Sequence, residues 1–246
     1  MIPKIIHYCW FGRNPLPQSA IKCINSWKKF FPDYEIKEWN EDNFDVNIIP
    51  YTAEAYEAKK YAFVSDYARF WILYHFGGLY FDTDVEVIKP MDDIIARGPF
   101  MGIEVGATSE SQAPLVAPGL GLGVNPGLGL GVNPGRGLFK MMLERFEQLS
   151  FYMEDGKIQT YTMIPIVSEL LKNEGLKHIN DIQQVAGIWI YPRDYFNPLE
   201  AETGILKVTE NTRSIHWYMA SWLPPQPVWK KKLKQWVRRL IKMIKR

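Results

Sequence analysis

The stretch of sequence that decides the fold is YAFVSDYARFWILYHFGGLYFDTDVE, residues 61–86. Its first sixteen residues carry apolar side chains at helical spacing, and the Gly-Gly pair at 77–78 supplies the left-handed backbone that ends such a helix. Three bulky, strand-forming residues follow at 79–81, with no polar break before Asp82. The pattern therefore predicts a helix, a glycine stop and a short buried strand that ends in acidic residues.

Asp82 and Asp84 are two carboxylates at the predicted end of this strand. Open α/β sheets place their ligand crevice at the carboxyl ends of strands. Carboxylates are hard oxygen donors for Mg²⁺ or Mn²⁺, which keep open positions for phosphate oxygens. The pair predicts a metal–diphosphate site, although Asp-x-Asp is a short pattern that also occurs in solvated turns.

Asp66 and Arg69 lie three positions apart and share a face of the predicted helix. Both stand among aromatic residues, where a charge is costly unless it is paired or used. The two interpretations are a local ion pair and a pair of ligand contacts.

Three ordered motifs resemble one known family. SDYAR at 65–69 followed by GGLYFDTD at 77–84 resembles the signature of the DXD-containing sugar transferases, namely glycosyltransferase family 32 and its relatives, which include the glucosylating domains of large clostridial toxins. The opening IPKIIHYCWFG at 2–12 is similar to the first motif of that family, and IHWYMASW at 215–222 resembles its closing block. The motifs span most of the chain.

The resemblance implies an α/β protein with a GT-A-like nucleotide-diphospho-sugar transferase fold, in which helices flank a mixed central sheet. It implies a metal-dependent, retaining transfer of a hexose from a nucleotide-diphosphate sugar to a glycan or lipid-linked glycan acceptor, in surface polysaccharide synthesis. The implied cofactors are Mn²⁺ or Mg²⁺ and a donor that is most commonly a UDP-sugar. Asp84 is the implied metal ligand, Asp82 contacts the metal and the donor ribose, and Asp66 and Arg69 contact hydroxyls of the donor sugar.

Further donor contacts follow from the same resemblance. Trp10 would stack on the base, Tyr80 would belong to the donor site, and Ser221 and Trp222 would close over the diphosphate. His216 would complete the metal shell. From the residues alone, a lone Trp such as Trp10 and a lone His such as His216 are more commonly core side chains, and the 221–222 segment is explained by ordinary C-terminal packing.

Two other functional classes remain open. One is a non-catalytic module that binds nucleotides or carbohydrates, in which the acidic pair is structural. The other is a metal-dependent phosphoesterase or nucleotidyltransferase. Those enzymes usually need additional acids or histidines close to the metal, and the sequence does not obviously supply them.

Composition and periodicity predict one catalytic domain over residues 1–225 and a basic amphipathic helix over 226–246. A chain of 246 residues, 47% hydrophobic and 14% aromatic, is long enough for one sizeable core. Patterns of apolar residues predict further strands and helices along the chain. The predicted strands are 4–10, 34–39, 85–89, 100–105, 188–191 and an edge strand 205–211, and the predicted helices are 18–31, 53–60, 138–149 and 165–173.

The Gly-rich loop at 118–137 contains a tandem duplication. Residues 119–126 read GLGLGVNP, and residues 127–134 repeat the same eight letters. The Gly-Leu alternation is interpreted as either a flexible hairpin or a slipped β-segment. In the resembled family an Asn of such a segment lies beside the donor sugar, so Asn125 or Asn133 would hold that position here.

The two cysteines and the N-terminal sequence predict a cytoplasmic protein. Cys9 and Cys23 both fall in apolar segments, which predicts free core thiols in a reducing compartment. The N-terminus has no apolar secretory core, and no run approaches the roughly 20 apolar residues that span a bilayer.

Residues 229–246 differ in charge from the rest of the chain. They hold nine Lys and Arg and no acids, whereas residues 1–228 hold 20 basic and 27 acidic side chains, a net charge of −7. Apolar residues in 229–246 follow helical spacing, which predicts a helix that lies on anionic lipid. The expected location is therefore peripheral, on the inner face of the cell membrane. The alternative is a terminal helix docked on its own domain, and the acidic body argues against nucleic acid as a partner.

Overall fold

The computed structural model describes residues 2–105, 115–117, 122–124, 137–159, 163–219 and 236. Several sequence predictions lie outside these residues. They are the positions of Asn125, Asn133, Ser221 and Trp222, the second copy of the repeat, and the basic helix 226–246 apart from Trp236.

The helices and strands alternate through the first half of the chain, as the sequence predicts. The described helices are α1 Gln18–Phe30, α2 Pro50–Glu57, α3 Tyr61–Phe76, α4 Asp92–Arg97, α5 Leu138–Glu147, α6 Met163–Asn173 and α7 Arg193–Phe196. The described strands are β1 Ile5–Cys9, β2 Glu35–Trp39, β3 Gly78–Tyr80, β4 Val85–Val87, β5 Phe100–Val105, β6 Leu115–Ala117, β7 Leu122–Val124, β8 Gln183–Val185, β9 Ile188–Tyr191 and β10 Ser214–His216.

The central sheet is mixed and is flanked by helices, which confirms the predicted architecture. Its strand order is β2-β1-β3-β7-β5-β9-β8, with β6 beside β5. Strand β1 runs parallel to both β2 and β3, whereas β7 is antiparallel to β3 and β5. The carboxyl ends of β1, β2 and β3 therefore meet at one edge. A separate antiparallel pair, β4 with β10, brings the C-terminal motif beside the acidic one.

The sheet separates two hydrophobic clusters. On one side, α3 and α5 contribute rings such as Phe70 and Phe146 and α6 contributes aliphatic side chains, and on the other side α1 contributes Trp27. Side chains that follow one another along a strand point to opposite faces. Accordingly, Leu79 belongs to the cluster with Trp27, and Tyr80 belongs to the cluster with α3.

The helix α3 ends at Gly77, as the sequence predicts. The Gly77 N–H donates to the Leu73 carbonyl at 2.9 Å, and Gly77 and Gly78 have φ values of +63° and +98°. A Cβ at Gly78 would lie 2.7 Å from the Ile5 carbonyl oxygen. Glycine is therefore required for both conformation and close approach to β1.

His7 joins the end of α3 to the first two strands. The side chain is buried, its Nε2 contacts the Gly77 carbonyl at 2.9 Å, and its Nδ1 accepts from the Trp39 indole N–H at 3.0 Å. Burial lowers the pKa of His7 to about 4; Lys37 acts in the same direction and the Gly77 hydrogen bond acts against it. The imidazole is thus neutral, and its Nε2–H donates to Gly77.

Two expectations are changed by the structure. The predicted edge strand 205–211 is wrong, because the described chain there forms only an isolated bridge between Leu199 and Leu206. Turn hydrogen bonds within residues 209–212 replace the strand. The first copy of the repeat supplies β7, which favours the β-segment interpretation over the flexible hairpin. Cys9 and Cys23 are free and buried, as predicted.

None of the helices in the described part of the chain has the length and apolar character needed to cross a bilayer.

Candidate functional site

The candidate site lies at the sheet edge where β1 and β3 end. Residues 82–84 connect β3 to β4, and the Phe81 N–H donates to the His7 carbonyl at 3.2 Å, which holds this connection against β1. Because β10 pairs with β4, with His216 opposite Val85, residues 216–219 follow directly beside Asp84. Chain topology therefore brings three motifs that are distant in sequence to one place.

Arg69 links the helix carboxylate to the first acid of the DXD motif. Its guanidinium contacts Asp66 at 3.1 Å and Asp82 through two bonds, at 3.2 and 3.3 Å. The side chain is only 5% exposed, and it lies 4.9 Å above the centre of the Tyr80 ring. Its Nε–H donates to the Ser65 carbonyl at 3.1 Å. The predicted local ion pair is present, and it extends into the DXD motif.

The burial of this cluster changes the acidity of its members. Burial raises the pKa of Asp66 to about 7, although Arg69 acts in the opposite direction, and nearby Asp82 raises it further. Burial also opposes the charge of Arg69, but Asp82, Tyr80 and Asp66 outweigh it and raise the Arg69 pKa. A carboxyl group whose pKa is raised toward neutrality in this way can either donate to or accept from a hydroxyl group.

Asp84 is held by the C-terminal segment on three sides. Its Oδ1 lies 3.1 Å from His216 Nε2, its Oδ2 accepts from the Met219 N–H at 2.9 Å, and its carbonyl accepts from the Trp217 N–H at 3.0 Å. Burial acts to raise the pKa of Asp84, but His216 and the Met219 amide lower it overall. Burial acts to lower the pKa of His216, and Asp84 outweighs this effect and raises it. Each of the two side chains therefore favours the charged form of the other.

The donor chemistry of the site fits a divalent cation. Asp82 and Asp84 offer carboxylate oxygens, and His216 in its neutral form would offer an imidazole nitrogen, which are ligands that Mn²⁺ accepts. All four carboxylate oxygens already face Arg69, His216 or the Met219 amide, and among the described residues no three His, Cys, Asp or Glu side chains stand in an arrangement that would hold a metal ion as it is. A divalent cation bound here would therefore take the place of the Arg69 or His216 contact on these carboxylates.

The remaining described site predictions occupy the same edge. Trp10 lies at the end of β1, where its N–H donates to the Trp39 carbonyl and its indole N–H donates to the Asn14 carbonyl at 2.6 Å. The indole is half-buried. Tyr80 is 1% exposed and packs beneath Arg69, so in this structure it supports the guanidinium.

Sequence reasoning gave no role to Asn197 and Tyr218. The Asn197 Nδ2–H₂ group donates to the Tyr218 hydroxyl and to the Glu104 carbonyl at 3.1 Å. The Tyr218 hydroxyl also faces the Glu104 carboxylate, and burial together with that charge raises the Tyr218 pKa. An acidic residue inside the apolar strand FMGIEV was the available signal for Glu104. Nothing in the sequence pairs residues 197 and 218.

Comparison with known proteins confirms the resemblance. Residues 17–101 match the family model described as "Glycosyltransferase sugar-binding region containing DXD motif". This match covers α1 to the start of β5 and includes Asp66, Arg69 and both acids of the DXD motif.

Several curated relatives are glycosyltransferases. The chain is 29% identical over 111 residues to inositol phosphoceramide mannosyltransferase 1 of Schizosaccharomyces pombe (41% of this chain, 33% of that protein). It is 32% identical over 98 residues to inositol phosphoceramide mannosyltransferase 3 of the same yeast (38% and 27%). It is 28% identical over 105 residues to mannosyl phosphorylinositol ceramide synthase CSH1 of Saccharomyces cerevisiae (41% and 28%). The chain therefore spans about a third or less of the length of these relatives.

Two solved structures show limited similarity. The PaToxG glycosyltransferase has a TM-score of 0.48 at 17% identity and covers 71% of this chain and 70% of its own. The galactosyltransferase LgtC, in complex with donor and acceptor sugar analogues, has a TM-score of 0.43 at 15% identity (94% and 83%).

Proposed function

Since residues 17–101 carry the glycosyltransferase sugar-binding region with its DXD motif, we propose that this protein transfers a hexose from a nucleotide-diphosphate sugar to a glycan or lipid-linked glycan acceptor. The observation that carries the proposal is that two contact groups lie at one sheet edge, Arg69 with Asp66 and Asp82, and His216 with Asp84. The donor class is a UDP-sugar, and the transfer retains the anomeric configuration.

The chemistry follows from the charge of the leaving group. Breaking a sugar–phosphate bond leaves a nucleoside diphosphate with an additional negative charge, so electrostatic stabilisation of that group lowers the barrier. Asp82 and Asp84, with neutral His216 as a third ligand, would hold a divalent cation such as Mn²⁺ or Mg²⁺, which would supply positive charge to the diphosphate.

The residues on α3 bind and orient the donor sugar. Arg69 is fixed by Asp66, Asp82 and the Ser65 carbonyl, so its guanidinium is preorganised. Asp66 has a pKa near neutrality and is therefore suited to a hydrogen bond with a sugar hydroxyl in either direction. Trp10 offers a half-buried aromatic surface for the base at the end of β1.

Retention of the anomeric configuration is explained by attack of the acceptor on the anomeric carbon from the same face from which the diphosphate departs. The carboxylates described at this edge, Asp66, Asp82 and Asp84, are all paired with Arg69 or His216. None of the three is free to act as a covalent nucleophile, which favours front-face substitution over a double displacement.

A lipid-anchored acceptor is the favoured class. The curated relatives named above carry inositol phosphoceramide or its mannosylated form in their names. Residues 229–246 of this chain, with nine basic side chains and no acids, suit the surface of an anionic membrane. On this basis the enzyme works from the cytoplasmic side, as a peripheral protein on the inner leaflet.

The decisive experiment measures release of nucleoside diphosphate from a panel of UDP- and GDP-sugars in the presence of Mn²⁺ or Mg²⁺. Wild-type protein is expected to release nucleotide from at least one sugar. Asp84→Asn is expected to lower the rate by about two orders of magnitude or more, because it weakens the binding of the cation that would stabilise the leaving diphosphate. Asp155→Asn, an exposed loop aspartate, is the matched control.

Two results would contradict the proposal. Full activity of Asp84→Asn would remove the assigned role of the DXD motif. Binding of a nucleotide sugar by wild-type protein with no release of nucleotide under any condition would favour the non-catalytic binding module.

A further inference from the structure

Tyr218 has a backbone conformation that a bulky side chain rarely adopts. Its φ is +50°, in the left-handed region, and it is one of four non-glycine residues with positive φ in the described chain. Residues held in such conformations cluster at functional sites and persist only where the surroundings fix them. The feature lies two residues from His216, so its effect on the site can be traced directly.

The Tyr218 side chain is anchored by Asn197. The Asn197 Nδ2–H₂ group donates to the Tyr218 hydroxyl and to the Glu104 carbonyl, and the hydroxyl also faces the Glu104 carboxylate. Asn197 is fully buried, its N–H donates to the Arg193 carbonyl at 2.8 Å, and its own carbonyl accepts from the Arg193 side chain at 3.1 Å. The anchor therefore belongs to the fold, at the junction of β5 and α7.

The left-handed turn at Tyr218 directs two amides toward Asp84. The Trp217 N–H donates to the Asp84 carbonyl at 3.0 Å, and the Met219 N–H donates to Asp84 Oδ2 at 2.9 Å. These amides stand on either side of Tyr218. The Tyr218 ring also packs against the His216 ring, with 4.2 Å between the centroids, and His216 contacts the other carboxylate oxygen.

We propose that Tyr218 and Asn197 are positioning residues that fix the Asp84 carboxylate for metal and donor binding. Each acts on Asp84 through residues 216–219. The inference rests on the proposed function, since it names what holds one of its ligands in place. Outer-shell partners of this kind typically affect metal affinity or activity by about 10- to 100-fold.

The first measurement does not depend on activity. Amide hydrogen exchange of the full chain, without metal or donor, is followed by NMR in wild type, Tyr218→Phe and Asn197→Asp. Tyr218→Phe keeps the ring but removes the hydroxyl, and Asn197→Asp keeps the shape but removes the donor. We expect the Trp217 and Met219 amides to exchange at least about tenfold faster in both variants, with the α3 amides unchanged.

The second measurement separates positioning from general stability. In both variants the Mn²⁺ concentration that gives half-maximal nucleotide release is expected to rise about tenfold, with kcat at saturating Mn²⁺ within about threefold of wild type. Tyr152→Phe, which removes a hydroxyl from an exposed ring, is the matched control and leaves both quantities unchanged.

The outcomes are distinct. If an active variant shows unchanged amide exchange, Tyr218 and Asn197 do not hold residues 216–219, and the proposal is wrong. If an active variant shows faster exchange but an unchanged Mn²⁺ requirement, the contact is only structural, and the proposal is also wrong. Wild-type protein that releases no nucleotide contradicts the proposed function instead, while the exchange rates still show whether Tyr218 holds residues 216–219 on Asp84.

Discussion

Asp66 carries a free-energy cost that its partner only partly offsets. The carboxylate is largely buried and shares its cation, Arg69, with Asp82. Its pKa is raised from 3.8 to about 7, first because of burial and then because of Asp82, despite Arg69. Between these two pH values the folded protein retains a proton that the unfolded chain has lost, so stability falls as the pH rises through this interval.

Asp66→Asn is therefore expected to become more stable relative to wild type as the pH increases from about 4 to 8. The asparagine has no proton to lose, and the relative gain is on the order of a few kcal/mol by linkage. Unfolding by urea at pH 4.5, 6 and 8, without metal, measures it. Transfer activity is expected to fall at every pH, since the sugar contact is lost.

The surface variant Asp42→Asn serves as the control for that pH series, because Asp42 forms an exposed ion pair with Arg13. If the stability curves of wild type and Asp66→Asn run parallel between pH 4.5 and 8, the buried-carboxylate explanation is wrong.

At the scale of elements, the unit from α3 to β3 joins the helix that carries Arg69 to the strand that delivers Asp82. Gly77 and Gly78 reverse the chain within two residues, and β3 then lies against β1 with Leu79 opposite Ile6. The distance between Arg69 and Asp82 depends on this reversal. A change at the glycine pair thus acts on the site through the sheet.

Gly78→Ala is expected to destabilise the fold by about 2 kcal/mol or more, because a Cβ would meet both strain at positive φ and the Ile5 carbonyl at 2.7 Å. Gly175→Ala is the matched control: Gly175 has the same φ of +98°, but nothing lies within 4 Å of the added atom. Thermal or urea unfolding of both variants isolates the close approach. Equal losses would show that only the backbone conformation matters.

The predictable elements are those whose own residues determine them. The helix α3 follows from its periodicity and its glycine stop, and β1, β2, β5 and β9 follow from apolar runs with clear breaks. The strand β7 was left open as one of two interpretations, because Leu-Gly-Val has little strand preference of its own and pairs here with β3 and β5. The segment 205–211 has the alternating pattern of a strand. In the described part of the chain, however, its ladder pairing is limited to one bridge between Leu206 and Leu199.

The candidate site likewise has residues that the sequence predicts and contacts that it does not predict. The acidic motif, Asp66, Arg69 and His216 were found from motifs with fixed spacing. The bidentate contact of Arg69 with Asp82 and the contact between Asn197 and Tyr218 join residues 13 and 21 positions apart. Such contacts depend on tertiary packing, and a single sequence carries no local sign of them.

At the scale of the whole molecule, charge is separated along the chain. Residues 1–228 have a net charge of −7, whereas 229–246 hold nine basic side chains. Each basic residue near an anionic surface contributes on the order of 1 kcal/mol, and the attraction weakens with salt. The acidic body would be repelled by the same surface, so membrane association would orient the protein through its basic segment.

Full-length protein is expected to sediment with anionic phospholipid vesicles and not with neutral ones, and high salt is expected to release it. A chain of residues 1–228 is expected to remain in the supernatant with both kinds of vesicle. Equal partitioning of the two chains would contradict a membrane role for 229–246.

The strand β7 has one consequence for how this protein tolerates genetic change. Its Leu-Gly-Val recurs in the second copy of GLGLGVNP, so an eight-residue deletion by replication slippage yields the same polypeptide whichever copy is lost. The sequence that fills the gap between β3 and β5 is thereby preserved in every such deletion. A variant that lacks eight residues of the duplication is therefore expected to keep the sequence of the strand between β3 and β5.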